Sequence, residues 1–339
     1  MKKTIELPLI EPMYSTYHYQ GAATAVLKNN PSIRNYYLNQ VMMLTCNRKF
    51  LTGYTSPEVE ISASSWDVNP YLSTRLHPLQ FLNGYVHGII RNHIDAGYYV
   101  HFNGVDDYYI EGKSWYRERH FFHDGLICGY NQKDRTYCIY AYDENWRYKK
   151  FWTAQKSFEK GIKSALRYGV VGIICGIKPK DEQVIFSPQI ALEKIKEYLD
   201  LSDNRYGRDG KNFVYGISVH DYIVKYLGKL YDSSIPYERM DRRVFRMIWE
   251  HKKVMHERIL AIENALDMDS SCSEDYAAVV KSADKMRIIY AAYNKKRKDF
   301  TPVVLQNEIK DLKKQEQEIL KELIHKTKGI YKNDFVEST

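Results

Sequence analysis

The 339-residue chain carries 50 Lys and Arg against 42 Asp and Glu, a formal net charge of +8, and 44% of it is hydrophobic. That is length for about two domains of roughly 100–200 residues each, with enough apolar content to bury cores, which excludes a disordered tail. No stretch approaches the ~18 apolar residues of a membrane span, and with no zinc spacing, RGG tract or basic arm the charge does not read as a nucleic-acid interface.

The first nine residues hold two lysines, then Glu6 and Pro8, and no apolar run of leader length follows. The five cysteines (Cys46, Cys128, Cys138, Cys175 and Cys272) are odd in number and scattered, and none forms a CxxC pair. A cytoplasmic, reducing setting is the expectation.

Residues 21–28 (GAATAVLK) read as a small-residue helix ended by Asn29, Asn30 and Pro31. From Pro31 the run PSIRNYYLNQVMMLTC places Ile33, Tyr37, Val41 and Leu44 at helical spacing. Residues 79–95 read as another helix. β signals then dominate: 97–103 (GYYVHFN), 124–130 (DGLICGY) and 136–142 (TYCIYAY) are rich in aromatic and β-branched residues. The polar loop 131–135 joins the last two as a hairpin. From about Lys156 the pattern turns helical, with 169–177 (GVVGIICGI) as a further strand or buried connector.

Residues 190–201 are amphipathic, 206–211 (YGRDGK) form a loop, and 217–230, 242–266, 275–298 and 303–326 read as helices. The last places Leu305, Ile309, Leu312, Ile319 and Leu323 on one stripe, suited to a bundle core or to the seam of a homodimer. Arg242, Arg243, Lys252, Lys253 and Arg258 on the 242–266 helix cannot all face a core, and a basic face suits an acidic partner or is a solvated face balanced by nearby Asp and Glu. The expected class is α+β: an antiparallel-strand domain over 1–175, then an all-helical domain over 176–339.

The stretch 120–152 carries the chemistry. His123 opens one strand of the hairpin and Asp143 ends the other, so the two should meet at one end. A carboxylate bonded to an imidazole fixes its tautomer and stabilises its charged form. Trp115, Trp146 and Tyr109 supply an aromatic wall for a substrate, with core packing as the plainer use of such rings. Asp106, Asp107 and Glu111 precede that wall, and the acidic pair suits an amine, with a metal or a plain loop as the other readings. No metal is expected, because no complete ligand set stands out.

HDGLICGYN followed by YCIYAYD resembles the His–strand–turn–strand–Asp signature of papain-like cysteine peptidase folds. More closely, it resembles the acyltransferase family named for the butirosin biosynthesis protein BtrH, found with nonribosomal-peptide and aminoglycoside pathways. The resemblance implies a papain-like first domain, a helical second domain, and transfer of an acyl group from a carrier-protein thioester to the amine of a small molecule or peptide. It implies no cofactor beyond the carrier's phosphopantetheine arm. His123 would be the base, Asp143 its orienting partner, and Gln20 an oxyanion donor.

The family pattern also asks for a nucleophilic Cys at the start of the first helix. Thr24, Ala25 and Val26 fit its tail, but Gly21 stands where the Cys belongs. Cys46, beside Arg48 and Lys49, is then the substitute nucleophile. The other readings are attack by Thr24 or water, a cysteine peptidase that uses the same thiol, and a non-catalytic scaffold that binds acyl or peptide intermediates.

Overall fold

The computed structural model describes residues 3–53, 56–82, 84–200, 212–296 and 301–333. In chain order they form β1 (Thr4–Glu6), α1 (His18–Ala25), α2 (Arg34–Gln40), β2 (Leu44–Asn47), β3 (Glu60–Ile61), β4 (Leu72–Pro78), α3 (Val86–Asp95), β5 (Tyr99–Asp106), β6 (Phe122–Asn131), β7 (Thr136–Tyr142), β8 (Tyr148–Ala154), α4 (Gln155–Arg167) and β9 (Ile173–Pro179). There follow α5 (Pro188–Asp200), β10 (Phe213–Tyr215), α6 (Val219–Tyr231), α7 (Val244–Ala265), α8 (Ser271–Lys296) and α9 (Thr301–Asn333). The loop expected at 206–211 lies outside the described residues.

The chain divides into two units. The first, residues 1–34 and 64–183, is built on an antiparallel sheet in the order β4-β9-β5-β6-β7-β8, with β1 added along β6. Period-2 alternation gives the sheet two faces. Val100, Phe102, Ile127, Ile139 and Ile174 point to one face and form a core with Ile90 and Ile94 of α3 and Phe158 and Ile162 of α4. The other face carries His101 opposite Leu126 in register, with Asp124 two residues along. The Ala-rich helix α1 packs against β6, and its Ala22, Ala23 and Ala25 are fully buried. Gly129 permits the β1 pairing, because a Cβ there would run into the Ile5 carbonyl.

The second unit, residues 35–63 and 184–339, holds the long helices α5 to α9, α2, and a small antiparallel sheet in the order β10-β2-β3. The helical segment expected from Pro31 to Cys46 stops at Gln40 and becomes β2, whose Cys46 pairs with Val214. The boundary expected at 175/176 lies near 183/184, and residues 35–63 go with the helices rather than the large sheet. Arg258 of α7 gives the physical reason. Its buried guanidinium donates to the carbonyls of Tyr37, Leu38 and Val41, and His251 two turns earlier bonds the carbonyl of Met42. A long-range polar contact of this kind leaves no mark in local periodicity. No described helix is long and apolar enough to cross a membrane.

Candidate functional site

The chemistry-bearing side chains of the first unit converge where α1 begins over the ends of β5 and β6. His18, the first residue of α1, is 3% exposed. The backbone N–H of Tyr142 at the end of β7 donates to His18 Nε2 at 3.2 Å. That nitrogen therefore supplies a lone pair, and the proton of the neutral ring sits on Nδ1. His18 Nδ1 lies 3.2 Å from Asp124 Oδ1. Burial pulls His18 down to about 4 although Asp124 opposes the shift, so the ring is neutral at pH 7. Burial works against the Asp124 carboxylate too, but His18, His101 and His123 hold it well below the usual range.

His123 stands at the mouth of this cluster, about one third exposed. Its Nδ1 lies 3.6 Å from Asp107 Oδ2 and its Nε2 3.5 Å from Asp124 Oδ1. Its ring meets that of His18 edge-on at 4.6 Å. Lys113 is buried, donating to the Asp124 backbone carbonyl at 3.0 Å and lying 3.6 Å from Asp107 Oδ1. His101 Nε2 lies 3.6 Å from Asp124 Oδ2. The adjacent carboxylate of Asp106 is engaged elsewhere: it takes His120 Nδ1 at 2.6 Å, the Ser164 hydroxyl of α4 at 2.6 Å, and the amides of Tyr108 and Phe121.

Asp143 differs from the expectation. The β6–β7 hairpin is present and places both residues at its open end, but the Asp143 carboxylate holds the β7–β8 turn. It accepts the amides of Asn145 and Arg147 at 2.8 Å each and pairs with Lys149 at 2.9 Å and Arg147 at 3.3 Å. Burial opposes its charge, yet Lys149 and the two amides bring it down to about 2. The carboxylates facing His123 are Asp107 and Asp124.

Cys46 also departs from its expected role. It lies on β2 in the second unit and is fully buried. Burial, then Asp241, pushes its thiol far above the ordinary value, outweighing Arg48. A thiol in that setting is not a thiolate, so neither the acyl-enzyme nor the cysteine-peptidase reading has a nucleophile there. A Cβ at Gly21 would lie 2.5 Å from the Tyr148 hydroxyl, so Tyr148 fills the space in which a residue-21 side chain would extend. Gln20 is fully buried, and its carbonyl accepts the Thr24 hydroxyl at 3.1 Å. The Thr24 oxygen in turn accepts the Met13 amide at 3.2 Å, which gives it a structural use.

Trp115 and Trp146 meet edge-on at 6.1 Å, and Arg119 stacks 3.5 Å over Trp115. Trp115 continues to Phe121 at 6.1 Å, and Phe121 to His123 at 5.0 Å, so two of the three expected wall residues form an aromatic strip leading to His123. Trp146 is 53% exposed. Tyr109 belongs instead to the rings around His120. The adjacent His123-Asp124 pair at a strand start was a readable signal for the part Asp124 plays. Nothing local marked Lys113.

His18, His123 and Asp124 bring potential ligand atoms within 4.8 Å of one another, the residue types that hold a transition metal. The Tyr142 amide argues against His18 as a ligand. With Nε2 accepting that N–H, Nδ1 carries the proton and donates to Asp124. No protein-family model matches the chain, and no curated protein matches it.

Proposed function

We propose that this protein transfers an acyl group from a carrier-bound thioester to an amine by direct attack, with His123 as general base and no acyl-enzyme. The observation that supports the reading is the half-open imidazole of His123 set between the carboxylates of Asp107 and Asp124, at the end of an aromatic strip. Two flanking carboxylates stabilise the imidazolium that a base becomes on taking a proton. The amine lone pair attacks the thioester carbonyl carbon, and His123 removes a proton from the attacking nitrogen. The C–S bond then breaks, and the proton passes from His123 to the departing thiolate. The thioester and amine follow from the family resemblance.

The test uses the full chain with a small acyl thioester of cysteamine and a panel of primary amines. His123→Gln should lower amide formation by about 10²- to 10⁴-fold, the usual worth of a general base, while Cys46→Ala leaves it unchanged. Activity abolished in Cys46→Ala, or intact in His123→Gln, would overturn the mechanism. Tyr148 beside Gly21 favours a second reading, a site that binds acyl or peptide intermediates without reacting. Saturable binding of the same compounds with no turnover would select it.

A further inference from the structure

We infer that His18 is a positioning residue for His123, acting through Asp124. This rests on His123 being the base. The Tyr142 amide fixes His18 with its proton on Nδ1, and that proton is aimed at Asp124 Oδ1, the same oxygen that faces His123 Nε2. The opposite tautomer would set N–H against the Tyr142 N–H and a lone pair against the carboxylate, two repulsions in a buried setting. The ring is walled by Tyr142 at 5.2 Å and Tyr148 at 5.5 Å, so it has little room to turn. One end of α1 thereby governs how much of the Asp124 charge is left for His123.

The charged and titratable groups facing the pair are Asp124 and Asp107, Lys113, His101 from β5, and the Tyr142 and Tyr148 phenols. A neutral donor on a carboxylate spreads its charge. Without His18, more of it acts on His123, and the His123 imidazolium gains stability.

Long-range ¹H–¹⁵N spectra of the imidazoles, recorded on the full chain across pH, read both points without substrate. The wild type should show His18 as the Nδ1–H tautomer at neutral pH. His18→Leu should raise the His123 midpoint by about half a pH unit or more. His18→Asn, which keeps an N–H donor where Nδ1 stood, should shift it less, and Asp124→Asn should lower it. If His18→Leu fails to fold, the wild-type tautomer and the Asn variant still decide. An Nε2–H tautomer, or an unmoved His123 midpoint in the folded His18 variants, would overturn the assignment. Absent acyl transfer would remove the proposed reaction and leave these spectra as they stand.

Discussion

Asp143 is fully buried and has two amides and two cations around one carboxylate. Its native value near 2 lies below the ordinary ~3.9 of an unfolded Asp. A depressed carboxyl contributes stability that is present above the unfolded value and lost as pH falls from about 4 to about 2. Because Arg147 and Lys149 reach into solvent, screening trims the contribution to about 1–2 kcal/mol. Asp143→Asn should therefore lower stability by about that amount at pH 7 in urea titrations. The gap from wild type should close as the pH falls through that window, and a gap unchanged at pH 2 would refute the account. The sequence showed that His123 and Asp143 end neighbouring strands. It could not show that a two-residue amide nest and Lys149 would claim the carboxylate, because that depends on the path of the β7–β8 turn.

Helix α9 shows what periodicity yields and what it hides. Leu305, Ile309, Leu312 and Leu323 are buried as their spacing requires, but the expected Ile319 is only partly buried and Leu320 takes its place. In the same stripe sits Glu316, 0% exposed. It meets Lys252 of α7 at 2.7 and 2.8 Å, Tyr198 of α5 at 3.1 Å, Tyr276 of α8 at 2.5 Å and His220 of α6 at 3.6 Å. Five helices of the second unit thus share one buried polar node. Burial pulls Lys252 down and Glu316 pulls it back up. Breaking one side of a buried pair leaves an uncompensated charge, at a cost of about 3–5 kcal/mol. Glu316→Gln should show that loss in denaturant titrations, and Lys252→Met added to Glu316→Leu should recover much of it. A fully stable Glu316→Gln would mean the node carries little. The basic run on α7 had suggested a charged outer face. Arg242 and Arg243 are exposed, but Lys252 and Arg258 turn inward because carbonyls and a carboxylate from distant segments await them.

At the scale of the whole molecule, the net charge of +8 bears on the proposed acyl donor: were that donor an acidic carrier, the charge would steer the encounter. Encounter steered by charge weakens with salt, so association with an acidic carrier should slow about tenfold between 0.05 and 0.5 M NaCl in stopped-flow measurements. A salt-independent rate would argue for apolar docking instead. The sequence by itself determined the α+β class, the hairpin of β6 and β7 and the long helices after Pro188, because each is written in short-range periodicity. Tertiary structure alone decided that residues 35–63 join the helices, that β2 is a strand, that Cys46 is a core thiol, and that Asp107 rather than Asp143 joins Asp124 beside His123. Burial depth and polar partners far along the chain set each of these outcomes, and neither is encoded within any single window of residues.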